Sequence, residues 1–152
     1  MKFILQVFTG AWHAAHDSAE AIIRKIGDVS SRIPVDRVII GWNTDPSVYR
    51  EVGAFLRGSG IRMFLWLPVF SEVSGIAEPD EALDLFGRKI ITPIRQEGED
   101  FVFGCCSSRR NLQIAEGIYE KYFSGCGFDG VFLDKIRTQS FVSGVPGVLS
   151  CG

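Results

Sequence analysis

The chain has 152 residues, 46% of them hydrophobic, and its twelve Phe and three Trp exclude an intrinsically disordered protein. Its formal net charge is −2 and no run of Lys or Arg exceeds two residues, so nucleic acid is not an expected partner. No apolar run approaches the ~20 residues of a membrane-spanning helix, so no membrane partner is expected either.

The amino terminus has one basic residue, Lys2, followed by the short and mostly apolar run Phe3–Phe8. This run is shorter than the roughly 7–15 apolar residues at the centre of a signal peptide. We therefore interpret it as a strand and expect a cytoplasmic protein. An export signal outside this sequence is the alternative.

Strand-like and helix-like segments alternate along the chain. The strand-like segments, rich in β-branched and aromatic residues, are Phe3–Phe8, Arg37–Trp42, Arg62–Phe70 and Val131–Leu133. The first helix is predicted to begin at Asp17 or Ser18 and to carry its apolar stripe as far as Ile33. The second follows Asp45-Pro46, a typical N-cap with proline at the first helical position.

The third helix is predicted to begin after Ser107 or Ser108, with Leu112, Ala115 and Ile118 in its buried stripe. The stretch 71–100 before it lacks clear periodicity. We predict a short helix from Pro79 to Phe86 there, and a small hairpin that pairs residues around 90–92 with residues around 101–103.

This alternation predicts parallel strands in the order 1-2-3-4, joined by right-handed crossovers. No GxGxxG follows the first strand and no GxxxxGK[ST] is present, which disfavours dinucleotide-binding and P-loop folds. A complete eight-stranded barrel takes roughly 250 residues. The predicted fold is therefore α/β and of the parallel (β/α) barrel type: a single domain over residues 1–152 with four βα units, the front half of a larger (β/α)8 TIM barrel.

The cysteines are Cys105, Cys106, Cys126 and Cys151. Adjacent residues on a strand point to opposite faces, so Cys105 and Cys106 do not resemble a compact disulfide framework. No CxxC pair is present to form a zinc site, and we expect neither a metal nor another cofactor. Reduced thiols are the expectation, with one long-range disulfide as the alternative.

The fourth strand ends on a carboxylate. Its apolar run Val131–Leu133 is typical of a strand buried on both faces of a parallel sheet. Asp134 follows at the carboxyl end, where (β/α) barrels keep their catalytic groups, whereas Asp129 lies at the strand entrance. The structural alternative is that Asp134 caps the next turn or pairs with Lys135 or Arg137.

The segment Phe128-Asp129-Gly130-Val131-Phe132-Leu133-Asp134-Lys135-Ile136-Arg137, followed by Ser140, resembles glycoside hydrolases with a TIM-barrel fold. In that family a strand of the type FD-x-(apolar)-x-(L/F)-D-x-I-R-x-x-S ends at the sugar-binding face. The layout of the amino-terminal half also agrees, with Trp12 after strand one, Trp42-Asn43 after strand two and Trp66-Leu67-Pro68 at strand three. The resemblance implies a carbohydrate ligand. The family's aromatic–proline pair after the arginine is replaced here by Thr138-Gln139, which weakens the transfer of the family's loop contacts to this chain.

The chitinase family shares the Phe-Asp-Gly opening of this strand. Its pattern D-x-x-D-x-D-x-E, aligned on Asp129, would place Phe132 at the second aspartate and Ile136 at the acid glutamate. Chitinase chemistry is therefore not supported.

Glycoside hydrolysis ordinarily needs two carboxyl groups. Asp134 is the first catalytic candidate, and Glu72, in the loop after strand three, is the second. Asp45 follows strand two but fits a helix N-cap better. The second carboxylate lying outside this sequence is the alternative.

Residues at the predicted strand ends are candidates for sugar binding, because aromatic faces suit sugar rings and polar groups suit hydroxyls. They are Trp12, His13, Trp42, Asn43, Asp45, Trp66 and Arg137. A core position is the alternative for Trp66, and a salt bridge is the alternative for Arg137. His13 and His16 form an HxxH pair without a third ligand nearby, so loop histidines are favoured over a metal site.

The sequence thus predicts a glycoside hydrolase-like protein that binds carbohydrate and hydrolyses a glycosidic bond when its barrel is complete. The alternative is a non-catalytic half-barrel module that binds carbohydrate or associates with itself. Edge strands one and four would be unpaired in a half barrel, so a homodimer through these edges is the expected protein partner.

Overall fold

The computed structural model describes residues 2–10, 16–71, 80–83, 87, 94–96, 99–101 and 103–136. The elements are β1 Phe3–Phe8, α1 Ala19–Ser30, β2 Val35–Gly41, α2 Pro46–Gly58, β3 Arg62–Pro68, β4 Ile94–Gln96, β5 Glu99–Phe101, α3 Arg109–Tyr122 and β6 Gly130–Asp134. Within these ranges no helix combines the length and apolar character needed to cross a membrane.

The four longer strands form one parallel sheet in the order β1-β2-β3-β6. Ile4 pairs with Arg37 and Val7 with Ile40, while Ile39 pairs with Phe64 in the next strand. This confirms the predicted α/β class and strand order. The prediction that the sheet is half of a TIM barrel stays a prediction.

Two compact units divide the chain: Met1–Leu67 with Ile118–Phe132, and Pro68–Gly117 with Leu133–Gly152. The boundaries fall within α3 and β6. The first unit holds most of the parallel sheet and helices α1 and α2. The second holds the short antiparallel pair of β4 and β5.

Local sequence signals define helices α1 and α2. Ser18 is the N-cap of α1, and its Oγ accepts a hydrogen bond of 3.2 Å from the Ala21 N–H. Asp45 caps α2, and Pro46 occupies its first turn. Both caps match the predictions. Ile33, however, lies beyond the end of α1 and is 37% exposed, so it does not extend the buried stripe.

The core of the first unit is formed by the helices and one face of the sheet. Its fully buried side chains include Ile22, Ile26, Val38, Ile40, Tyr49, Val52, Leu56 and Leu65. The Tyr49 ring contacts Phe123 and Phe128, with centroids 5.6 and 5.2 Å away. Burying each large apolar side chain contributes about 1.5–3 kcal/mol to stability, so this layer holds the sheet and helices together.

Both edge strands carry exposed apolar side chains. On β1, Ile4 and Phe8 are 58% and 47% exposed, and on β6 Phe132 and Leu133 are 41% and 52% exposed. The predicted burial of β6 on both faces is therefore wrong. The reason is its position at the edge of the sheet, where no further strand in the described chain covers it.

In the second unit, the predicted helix from Pro79 to Phe86 is wrong where that segment is described: Glu81 forms an antiparallel bridge to Gly104. The predicted hairpin exists but pairs Ile94–Gln96 with Glu99–Phe101.

On α3, Leu112 is 45% exposed, contrary to prediction, while its neighbour Asn111 is buried.

The Asn111 side chain connects the start of α3 to the preceding segment. Its Oδ1 accepts from the Asp80 N–H, and its Nδ2 donates to the carbonyls of Asp80 and Cys105. Cys105 is in a disulfide, whereas Cys106 and Cys126 are free thiols. The expectation of reduced cysteines is thus wrong for Cys105, and the alternative of one disulfide applies there.

Candidate functional site

Three aromatic rings meet at the carboxyl ends of β1, β2 and β3. The Trp42 ring is 5.1 Å from Phe8 and 5.2 Å from Trp66, both in edge-to-face geometry. Trp42 is only 4% exposed, whereas Phe8 remains half exposed. Trp42 therefore supports the cluster from within, and Phe8 and Trp66 offer its accessible surface.

A buried polar network lies beside these rings. Thr9 Oγ1 accepts from the Asn43 N–H at 2.9 Å, and the Tyr49 hydroxyl donates to the Asn43 carbonyl at 2.7 Å. Burial raises the pKa of the Tyr49 phenol far above its ordinary value, against a smaller opposing effect of its hydrogen bond with Thr9. Tyr49 therefore acts as a neutral hydrogen-bond donor that fixes the backbone at Asn43.

The Asp45 carboxylate begins helix α2 and lies at the surface. Its Oδ1 accepts from the Ser47 N–H at 2.9 Å and from the Ser47 hydroxyl at 2.8 Å. Both hydrogen bonds lower the pKa of the Asp45 carboxyl, and the bond from the Ser47 backbone N–H has the larger effect. The Asp45 N–H in turn donates to Asn43 Oδ1 at 2.7 Å, so the cap fixes the Asn43 amide.

An open pocket of about 490 Å³ lies at the starts of α1 and α2, and Ala19 and Val48 line it together with several polar residues. Its polar lining residues are His16, Asp17, Ser18, Glu20, Asn43, Asp45 and Glu51. The Thr9 carbonyl accepts hydrogen bonds from His16 Nδ1 at 3.3 Å and from the Asp17 N–H at 3.1 Å, which ties the pocket wall to the end of β1. Such a pocket can exchange several hydrogen bonds with a hydroxylated ligand.

Asp134 ends β6 in the second unit. Its Oδ1 accepts from the Lys135 N–H at 2.7 Å, and its carbonyl accepts from the Val69 N–H at 3.0 Å. Lys135 adopts a left-handed conformation with φ of 52°, which is uncommon for a residue other than glycine. The carboxylate is partly exposed, so it is accessible and held at the end of a strand.

The structure thus brings together four predicted residues in the first unit: Trp42, Asn43, Asp45 and Trp66. Trp12, His13, Glu72 and Arg137 lie outside the described ranges. Sequence reasoning missed Phe8, Thr9 and Tyr49. Phe8 and Thr9 follow the same strand-end rule that identified Trp42, which could have found them, whereas nothing in the sequence marks Tyr49.

The described residues contain no group of three or more His, Cys, Asp or Glu side chains that could hold a metal ion. His16 is the member of the HxxH pair that lies within the described ranges, and its Nδ1 forms a hydrogen bond with the Thr9 carbonyl. What the site offers is aromatic surface, one buried amide and several carboxylates. These groups are suited to binding through hydrogen bonds and ring contacts.

No protein-family profile and no curated protein matches the sequence. Among solved structures, Kfla1895, crystallised as a mutant in complex with isomaltose, matches with a TM-score of 0.53 and 11% identity, covering 86% of this chain and 24% of its own. The GH31 alpha-xylosidase from Xanthomonas citri has a TM-score of 0.46 and 10% identity, covering 86% and 16%.

The chain spans about a quarter of the length of the first of these structures. At such low identity the similarity shows the fold alone, an α/β fold with a parallel sheet. It is consistent with a partial barrel.

Proposed function

We propose that the chain binds carbohydrate at the carboxyl ends of its parallel strands, as part of a glycoside hydrolase-like barrel. The observation that carries this proposal is the placement of Phe8, Trp66 and Asn43 together at that end of the sheet. Parallel (β/α) folds bind their ligands at this end. The fold neighbour that binds isomaltose, and the resemblance of the β6 segment to glycoside hydrolases, support a sugar as the ligand.

In this proposal Asp134 supplies one of the two carboxyl groups that hydrolysis of a glycosidic bond requires. Its position at the end of β6 and its partial exposure support the assignment. Glu72 is the proposed second carboxyl group, and Arg137, Trp12 and His13 are proposed contacts to the sugar. The proposed activity belongs to the complete barrel, and we expect the 152-residue chain by itself to bind sugar without turning it over.

The binding step is tested by titrating isomaltose into the ¹⁵N-labelled chain and following the Trp42 and Trp66 indole signals by NMR. We expect saturable shifts of these signals. Asn43→Ala should weaken binding, because it removes the amide beside the rings, whereas Gln113→Ala on the exposed side of α3 is a matched control that should not. Indole signals that stay unchanged at saturating isomaltose would contradict the proposal.

A second candidate function is self-association without catalysis. The apolar side chains exposed on β1 and β6 favour it, since edge strands with apolar surface pair readily with other chains. The two candidates differ in their predictions, because sugar binding requires the strand ends and self-association requires the strand edges.

A further inference from the structure

Two buried hydroxyl groups hold the backbone at the carboxyl end of β2. Thr9 Oγ1 accepts from the Asn43 N–H at 2.9 Å, and the Tyr49 hydroxyl donates to the Asn43 carbonyl at 2.7 Å. Both side chains are almost completely buried, Thr9 at 1% exposure and Tyr49 at 0%. A ligand at the surface does not reach either hydroxyl, so any effect of these groups on a ligand is transmitted through Asn43 and its neighbours.

Thr9 bonds to the residues on both sides of Trp42. Its backbone N–H donates to the Gly41 carbonyl at 2.7 Å, and its hydroxyl oxygen accepts from Asn43. Any residue except proline can make the first bond, which continues the pairing of β1 with β2, whereas the second needs an acceptor on the side chain. Phe8 directly precedes Thr9. The two bonds therefore set the position of the Phe8 ring relative to the Trp42 ring, 5.1 Å away.

Tyr49 joins the same strand end to helix α2. Its ring packs against Phe123 and Phe128, and a phenylalanine at this position would keep that packing. The hydroxyl adds only the bond to the Asn43 carbonyl. Valine and phenylalanine would fill the space of Thr9 and Tyr49 without burying a polar group, which costs free energy by itself. The contribution specific to the two hydroxyls is thus to hold the backbone at Asn43.

We propose that Thr9 and Tyr49 are positioning residues for the proposed carbohydrate site. They do not touch the sugar, but they keep the accessible rings of Phe8 and Trp66 in the arrangement that binds it. Trp42 connects the two levels, because it is 4% exposed and its ring contacts both accessible rings. A displaced β2 end would move this support beneath both. The inference rests on the proposed carbohydrate binding and deepens it by naming the residues that set the shape of the site.

Three variants test the inference. Thr9→Val and Tyr49→Phe each remove one hydroxyl and keep the shape of the side chain, whereas Thr9→Ser keeps the hydroxyl. Isomaltose is titrated by NMR into each folded 152-residue chain, well below its melting temperature. We expect Thr9→Val and Tyr49→Phe to weaken isomaltose binding by about 5-fold, the factor by which one hydrogen bond typically changes an equilibrium. Thr9→Ser should bind as the unaltered chain does. Tyr49→Phe carries the test alone should Thr9→Val fail to fold.

A second measurement needs no sugar. In the ligand-free chain, the nuclear Overhauser effect between the Phe8 and Trp42 rings should weaken in Thr9→Val and Tyr49→Phe and persist in Thr9→Ser. Ile26→Val is the matched control, because Ile26 is fully buried on α1 and the lost methylene lowers stability without altering the strand ends. It should lower the melting temperature and leave both the ring contact and the isomaltose affinity unchanged.

The outcomes separate this inference from the carbohydrate proposal. Unchanged isomaltose affinity in folded Thr9→Val and Tyr49→Phe would overturn the positioning roles and leave carbohydrate binding intact. An equal loss of affinity in Ile26→Val would assign the effect to stability alone and would also overturn them. Absence of isomaltose binding by the unaltered chain would overturn the carbohydrate proposal together with the inference that rests on it.

Discussion

Asp129 and Asp134 lie at the two ends of β6 and have different surroundings. Asp129 accepts the Met63 N–H with Oδ2 and donates its own N–H to the Met63 carbonyl, both at 2.8 Å. This pair of bonds fixes β6 against β3. Asp134 accepts from the adjacent Lys135 N–H and ends the strand. Asp129 thus has a structural role in joining β6 to β3, and Asp134 is the residue proposed for chemistry.

Asp134→Asn tests the proposed catalytic role. The substitution keeps an oxygen that can accept from the Lys135 N–H and removes the charge, so we expect the chain to stay folded. In the full-length gene product, glycoside turnover should fall by at least ~10²-fold, because a general acid or base contributes that much. Asp129→Asn is the matched control and should leave turnover unchanged. Unchanged turnover in a folded Asp134→Asn protein, checked by its melting temperature, would remove Asp134 from the catalytic residues.

Gly41 is required by a close approach between β2 and β3. A Cβ at this position would lie 2.5 Å from the Trp66 carbonyl oxygen and 3.1 Å from Trp66 Cβ. Since backbone cannot move aside readily, Gly41→Ala should destabilise the protein by about 1–3 kcal/mol, the usual cost of overpacking. Trp66 should also shift, which would weaken the proposed sugar binding at the aromatic cluster.

Gly58→Ala provides the comparison for Gly41, because no atom lies within 4 Å of a Cβ there and the residue ends helix α2. Replacing glycine by alanine in a helix is neutral or stabilising by up to about 1 kcal/mol. Urea denaturation of the two variants measures both effects. Equal stability of the two variants would show that β2 and β3 do not approach closely at Gly41.

At the scale of elements, Asp36 joins the amino-terminal ends of three strands. Its carboxylate contacts Lys2 Nζ before β1 at 3.1 Å, Arg37 Nε on β2 at 3.1 Å and Arg62 Nη2 on β3 at 2.8 Å. The hydrogen bond from Lys2 has the largest effect on the pKa of the Asp36 carboxyl and lowers it, and the hydrogen bond from Arg62 lowers it further. Burial raises this pKa by a smaller amount. The ionised form is therefore favoured in the folded state.

A lowered pKa predicts a loss of stability in acid. The stabilisation is fully present above the unfolded pKa of 3.8 and is lost as pH falls through the still lower folded pKa. We expect the melting temperature to fall as the pH decreases below about 4. Asp36→Asn should make that fall shallower, whereas Asp28→Asn, an exposed position on α1, should not. A melting temperature that falls equally steeply in Asp36→Asn would contradict the assignment.

The elements that the sequence predicted well are those set by adjacent residues. Ser18 and Asp45 cap their helices as predicted, because a cap involves only the next few residues. Leu112 was predicted to be buried but is exposed, and the burial of its neighbour Asn111 was not predicted. The hydrogen bond between Asn111 and Asp80 explains this, because no pattern within α3 records a contact with that distant residue. In the candidate site, too, the residues that follow from local sequence were predicted and those that depend on distant packing were not. Trp42 and Asn43 follow from strand-end position, whereas Tyr49 depends on the packing of α2 against the strand ends.

At the scale of the whole molecule, the parallel sheet has four strands among the described residues, and β1 and β6 are its edges there. Apolar side chains are exposed at both edges. They are Ile4 and Phe8 on β1 and Val131, Phe132 and Leu133 on β6. Side chains of this size seldom remain in contact with water together on a stable monomer. A second copy could cover them by placing its β1 beside β6, with all strands parallel.

We therefore propose that the 152-residue chain associates with itself through these edges. Its mass by light scattering should increase with concentration in the micromolar range. Ile4→Ser with Phe132→Ser should lower that mass toward the monomer, because the double variant removes an apolar side chain from each edge. Leu112→Ser is the matched control, since Leu112 is 45% exposed but lies on α3 rather than on the sheet, and it should associate as the unaltered chain does. A monodisperse and thermally stable monomer at micromolar concentration would contradict the proposal, because the strand edges would then be stable in water without a covering partner.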